Sequence, residues 1–270
     1  MGSRLCVVAT DSGRHAEDGL AAIEHGLDAL IEKPLSVTVT TARDLCRAAE
    51  QGQGKLYVGC VLRFSESLNR FKELLDGIGR PHSVRIECQS YLPEWRPARP
   101  YQESYSAHTD EGGVLLDLIH EIDYAGWLFG WPAALHALVR NCGRLQIQSD
   151  ESADLLWETE GGCVVSIRLD YLSTPARRLM TAFGEEGALE WNGVKNTVTL
   201  LRKGAPPLKF VSRQTRDEMF SAQARAFIQA SRGAGHSRLV TCQEGIKALA
   251  VCDAARRAST SRREESVEYL

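Results

Sequence analysis

Apolar and polar positions alternate with two different periods along this chain, and the period changes near residue 80. Before that point, short β-rich apolar runs are separated by amphipathic helical stretches. Leu5–Ala9, Leu27–Ile31 and Lys55–Gly59 read as strands. Between them, Arg14–His25 reads as a helix with Ala16, Leu20 and Ile23 inward, ended by Gly26. Thr41 is expected to cap the next helix, which carries Ala42, Leu45, Cys46 and Ala49 at i, i+3, i+4, i+7. Ser65 is expected to cap a third, with Leu68, Phe71, Leu74 and Leu75 inward and a stop at Gly77. Strands alternating with amphipathic helices predict parallel βαβ units.

After Gly79 the chain reads differently. Ser83–Tyr91 alternates as a strand, a loop rich in Pro, Trp and Arg follows, and Val114–Phe129 predicts one continuous helix. Strands then come in quick succession at Leu135–Asn141, Asp154–Thr159, Cys163–Leu172, Leu179–Phe183, Leu189–Trp191 and Thr197–Arg202. Turn signals such as Glu160-Gly161-Gly162 separate them, which suits an antiparallel sheet. Two helices, near Asp217–Ser231 and Cys242–Ala258, close the pattern, and the tail SRREESVEYL can add a last strand or fray. The predicted architecture is α/β plus α+β: a Rossmann-like parallel sheet over residues 1–80, then an α+β domain over residues 81–270 with a large, mainly antiparallel sheet.

Composition narrows the function classes. A net charge of −3 over 270 residues does not favour nucleic acid or an acidic membrane as partner. No apolar run is long enough to span a bilayer, and the N-terminus lacks the apolar core of a signal peptide. Eight cysteines without a C-x-x-C pair predict reduced thiols in a cytoplasmic protein, with neither a disulfide framework nor a metal site.

Two places carry candidate chemistry. In EGGVLLDLIHEIDYAGWLFG, Leu115, Ile119, Ile122, Gly126 and Phe129 fall on one side of a helix, and Asp117, His120 and Tyr124 on the other, with Asp123 beside them. Histidine is the natural proton carrier near neutral pH, so His120 in a cleft is a candidate acid/base. Gly112-Gly113 permits close backbone approach there. The second place is Lys33, at the C-terminal end of a predicted parallel strand and held extended by Pro34. Ligands of doubly wound sheets gather at such ends. A solvated polar stripe and a solvated lysine are the alternative readings of these residues.

VVATDSGRHAEDGLAAIEHGLDALIEKPLS, VGCVLRF, GGVLLDLIHEIDYAGWLFG and EGIKALAVCDAARRAS together resemble the glucose–fructose oxidoreductase/inositol dehydrogenase (Gfo/Idh/MocA) family of NAD(P)-dependent oxidoreductases. The resemblance covers nearly the whole chain. It implies hydride transfer between a sugar, sugar derivative or cyclitol and NAD or NADP. Lys33 of E-K-P resembles the lysine that contacts nicotinamide and substrate, His120 the catalytic acid/base, and Asp117 its accompanying aspartate. Thr10, His15, Glu32 and Lys33 resemble cofactor contacts. Arg63, Trp95, Asp123 and Tyr124 are substrate-side candidates. Association into a homo-dimer or homo-tetramer through the C-terminal sheet is also implied.

Two departures stand out. The family's D-x-x-x-H is D-x-x-H here. The glycine-rich G-x-G-x-x-G turn is not found either: Gly2, Gly13, Gly19 and Gly26 are the glycines ahead of E-K-P, and they do not form it. The expectation is a chain lacking an N-terminal segment of the family, with one strand left as an exposed sheet edge. Three readings remain open: an oxidoreductase, a catalytically inactive sugar-binding member, and a structural module that associates through its sheet.

Overall fold

The computed structural model describes residues 4–269; Gly2, one of the glycines considered above, lies outside them. Two sheets organise the chain. In the first, strands β1 (Leu5–Val8), β2 (Asp28–Glu32) and β3 (Leu56–Gly59) run parallel in that order. Helices α1 (His15–Glu24) and α2 (Val39–Gln51) make the crossovers. The short β12 (Val240–Thr241) returns from late in the chain to pair antiparallel with β3. Strand β1 is the edge of this sheet, and Val7 on it is exposed.

Local details differ from expectation for identifiable reasons. Helix α1 turns Gly19, Ala22 and Ile23 inward, while Leu20 is exposed. A Cβ on Gly19 would stand 2.4 Å from Ile31 of β2, so the absent side chain lets helix and strand approach. Gly26 ends this helix at φ +68°. Helix α2 is capped by Thr38, whose hydroxyl accepts from the Thr41 amide at 3.2 Å, so Thr41 is the capped residue. Ser65 caps α3 (Glu66–Leu74) as predicted, but the chain passes Gly77 in a 3-10 turn and reverses at Gly79, φ +70°.

The second sheet has nine strands in the order β11-β10-β9-β8-β4-β7-β6-β5-β13. They are β4 (Pro81–Gln89), β5 (Ala134–Arg140), β6 (Ser152–Glu158), β7 (Val164–Asp170), β8 (Arg177–Gly184), β9 (Gly187–Asn192), β10 (Thr197–Arg202), β11 (Leu208–Val211) and β13 (Glu265–Ser266). Among the described residues of this sheet, only β4 and β7 pair parallel; β11 was not expected, and the tail supplies β13. One face packs on the central helices and on α7 (Cys242–Ser261). α6 (Arg216–Ser231) packs near residues 61–64, and both late helices begin with a complete capping box, at Thr215 and Thr241.

The continuous helix expected over residues 114–129 is broken. Val114–Asp117 forms α4 and Ile119–Phe129 forms α5, with Leu118 between them at φ −99°, ψ +26°. The Glu121 amide bonds Leu118 O, which releases the Asp117 carbonyl. The thiol expectation also needs correction: Cys46 on α2 and Cys242 at the start of α7 are joined in a disulfide, which ties the later part of the chain to the first sheet.

Candidate active site

A cleft of about 680 Å³ opens at the C-terminal ends of β1 and β2, between the two sheets. Its lining on the parallel-sheet side is Ala9–Ser12, His15, Glu32, Lys33, Val61 and Leu62. The other walls bring Arg96, Tyr105, His120 and Arg178, and, from α6, Arg216, Met219 and Phe220. Chain segments more than 200 residues apart in sequence therefore meet here.

Lys33 reaches across the cleft floor. Its Nζ donates to Asp117 O at 2.7 Å, the carbonyl released by the break at Leu118. A continuous helix would use that carbonyl internally; here it anchors the lysine. The Asp117 carboxylate turns the other way and accepts from the Tyr171 hydroxyl at 2.6 Å. Asp117 is therefore brought to Lys33 by its backbone, and its side chain does not line the cleft.

His120 is buried, and its Nδ1 has no hydrogen-bond partner, so Nε2 is the ring nitrogen left to face the cleft. Burial pushes its pKa well below the usual histidine value, and the positive charges of Lys33 and Arg178 push it the same way. The imidazole is accordingly a neutral base at pH 7.

Thr10, His15 and Glu32 sit together on the opposite wall. The His15 ring spans two backbone carbonyls, Pro34 O at 2.7 Å from Nδ1 and Thr10 O at 3.0 Å from Nε2. It clamps the loop after β1 onto the loop after β2. Thr10 Oγ1 donates to Asp18 at 2.8 Å. Burial raises the pKa of Glu32, against the opposing charge of Lys33.

Four other candidates are placed elsewhere. Arg63 and Asp123 face each other in a closed, two-pronged ion pair at 3.0 and 2.7 Å, and Arg63 also reaches Glu244 at 2.9 Å. Tyr124 is fully buried, edge-on to Trp191. Trp95 donates to Ser90 Oγ and packs edge-on against Tyr171. These residues support the cleft's walls without lining it.

The important omissions are Arg96, Arg178 and Arg216. Arg178 carries a sequence signal: it shares the parity of Met180 and Ala182, so strand alternation puts an arginine on the core-facing side of β8. Its Nε donates to the fully buried Glu121 at 2.7 Å. Arg96 and Arg216 carry no comparable pattern, because a loop and a helix N-terminus do not show which side chains converge.

The residues present fit the nicotinamide end of a dinucleotide. Strand ends of a parallel sheet, a lysine with donors to spare and a neutral buried histidine share one cleft of ligand size.

Comparison with known proteins agrees with this arrangement. Residues 2–60 match the profile of an oxidoreductase family with an NAD-binding Rossmann fold, and residues 69–190 match the GFO/IDH/MocA C-terminal domain. Inositol 2-dehydrogenase 2 of Mycolicibacterium vanbaalenii is 27% identical over 261 residues, covering 92% of this chain and 72% of that protein. Inositol 2-dehydrogenase of Mycolicibacterium gilvum is 29% identical over 136 residues, a match spanning 50% of this chain and 36% of that protein's length. 1,5-Anhydro-D-fructose reductase of Ensifer adhaerens is 34% identical over 123 residues, 43% of this chain and 34% of that protein. Levoglucosan dehydrogenase, solved in complex with NADH and levoglucosan, superimposes with a TM-score of 0.88 at 18% identity, covering 99% of this chain and 81% of its own. The fold, the cleft and the two matched profiles agree: the chain belongs to the Gfo/Idh/MocA family of oxidoreductases.

Proposed function

We propose that this chain is an NAD(P)-dependent oxidoreductase acting on a sugar, sugar derivative or cyclitol. The observation that carries the reading is the convergence of Lys33 and His120, from two different sheets' surroundings, on one cleft beside Thr10, His15 and Glu32. The division near residue 80, with a cofactor-side and a substrate-side unit, belongs to this reading. So does association through the large sheet, whose outer face exposes Leu138, Leu156 and Val164.

The nicotinamide, when bound, supplies the hydride acceptor or donor. Thr10, His15, Glu32 and Lys33 are the residues to hold its ring end. The remaining chemistry belongs to the side chains. His120, kept neutral by burial and neighbouring cations, takes the proton of a substrate hydroxyl at Nε2 during oxidation and returns it to the carbonyl oxygen during reduction. Lys33, fixed by the Asp117 carbonyl, has two further N–H donors for the same substrate oxygen. Its positive charge stabilises the developing alkoxide.

Calorimetric titration with NADH and NADPH tests the cofactor, and turnover with inositol and with 1,5-anhydro sugars tests the reaction. Lys33→Met is expected to lower kcat by about 10²–10⁴-fold while leaving the thermal unfolding curve in place. Absence of binding by both cofactors favours the inactive sugar-binding reading, and unchanged turnover removes Lys33 from the mechanism.

A further inference from the structure

The cleft is lined by four basic side chains, Lys33, Arg96, Arg178 and Arg216, and by two carboxylates, Asp11 and Glu32. Three of the cations are held by neutral groups. Lys33 is on a backbone carbonyl, Arg96 is on the hydroxyl and ring of Tyr105, and Arg216 lies over the Phe220 ring at 5.4 Å. Such groups orient a cation without neutralising it.

Arg178 is different again. Its Nε is fixed by Glu121, a residue with no exposed surface, while its side chain keeps 26% of its exposure on the cleft side. A guanidinium has five N–H donors, and the Glu121 contact is made by one of them. The second Glu121 oxygen is buried without a partner, and the first is shared by Arg178 and the Tyr124 hydroxyl, so Arg178 is the one cation this carboxylate holds. A fork pre-set by a buried carboxylate recognises planar anions well, because little side-chain freedom is lost on binding. A neutral polyol accepts ordinary hydrogen bonds from such a group, whereas an anion adds charge assistance that makes each bond about twice as strong. Four cations face two carboxylates in the cleft, so closing it without an anion would instead carry a desolvation cost.

We propose that the substrate carries an anionic group, a carboxylate or a phosphate ester on its sugar-like body, and that Arg178, held in place by Glu121, binds it together with Arg96. This deepens the oxidoreductase reading and rests on it for the fate of the substrate, but the anion site itself stands on the cleft. The same chemistry could serve phosphates of the dinucleotide, so the experiment has to separate the two sources.

Calorimetry on the full chain with D-glucuronate, glucose 6-phosphate, D-glucose and NADH does so. At least one of the two acids is expected to bind about tenfold or more tightly than glucose. Arg178→Gln and Arg96→Gln should each bring that ratio down towards one, with NADH affinity falling less than acid affinity. Arg178→Gln leaves Glu121 buried without its partner, so the double variant Glu121→Gln/Arg178→Gln and the exposed Arg96→Gln guard against a folding defect. Neither acid binding more tightly than glucose, a preference that survives both single variants, or an equal loss of NADH affinity would each overturn the proposal. Acid binding that vanishes in the variants, in a protein that turns over neither the acids nor neutral polyols with either cofactor, would overturn the oxidoreductase reading and leave the anion site standing. Turnover of neutral polyols with no preference for acids would do the reverse.

Discussion

Helix α5 grips two arginines through carboxylates two residues apart, and it treats them differently. Asp123 faces Arg63 with both oxygens, and Glu244 from α7 takes the remaining edge; the two side chains of the main pair are 1% and 3% exposed. Burial works against the Arg63 charge, yet Asp123 holds its pKa above the ordinary arginine value. Glu121 instead offers Arg178 one contact, and with Cys88 as a further neighbour the arginine still lines the cleft at 26% exposure. In the sealed pair every guanidinium nitrogen is engaged and buried, so it offers nothing to a ligand and fastens elements together. A half-saturated one is a binding group on a rigid mount. Both arginines are of one residue type and touch one helix, and what separates them is how many of their donors the protein already uses.

The largest effect that sharpens this contrast is on stability. Arg63→Met removes one partner of a buried pair and leaves Asp123 uncompensated, which should cost about 3–5 kcal/mol in urea unfolding. A loss below about 1 kcal/mol would mean that the pair does not fasten α5 to the loop after β3.

The half-open pair should show itself through His120. Because Arg178 and Lys33 both contribute to its depressed pKa, kcat/KM for oxidation should persist as pH falls through 6.5 and decline only well below it. Arg178→Gln removes one of those charges, so the acidic limb should move upward, towards the ordinary histidine value. A limb that already lies at the ordinary value, or one that does not move, would break the link between Arg178 and His120. The sign for stability is the same. The unfolded histidine binds a proton below 6.5 and the folded one does not, so this contribution is lost as pH falls through that value.

The smallest effect concerns Glu244, which belongs to both the capping box of α7 and the Arg63 network. Burial pushes its pKa up, but the Thr241 amide and Arg63 together hold it below the usual carboxylate range. Thr241→Ala should cost about 1 kcal/mol, measured by thermal unfolding. In an Arg63→Met background the same substitution should cost a different amount, because the two sites share Glu244.

The sequence by itself determined the alternation of strands and amphipathic helices, the change of sheet type near residue 80, and two residues, Lys33 and His120, that share one cleft in the fold. Lys33 was legible because Pro34 and the preceding apolar run mark a strand end, and His120 because it falls opposite the apolar side of its helix and is the side chain that titrates near neutral pH. Tertiary structure alone decided the rest. Periodicity over residues 114–129 is the same for a straight helix and for one broken at Leu118, so the carbonyl that Lys33 uses could not be foreseen. Arg63 and Arg178 look equally suited to a ligand as residues. Which of them is sealed and which is open depends on carboxylates that arrive from elsewhere in the chain. The pairing of Cys46 with Cys242 has the same origin, since a separation of 196 residues leaves no local trace of the contact. Local pattern fixes what each segment becomes, whereas the availability of a side chain for chemistry is a property of its neighbours in space.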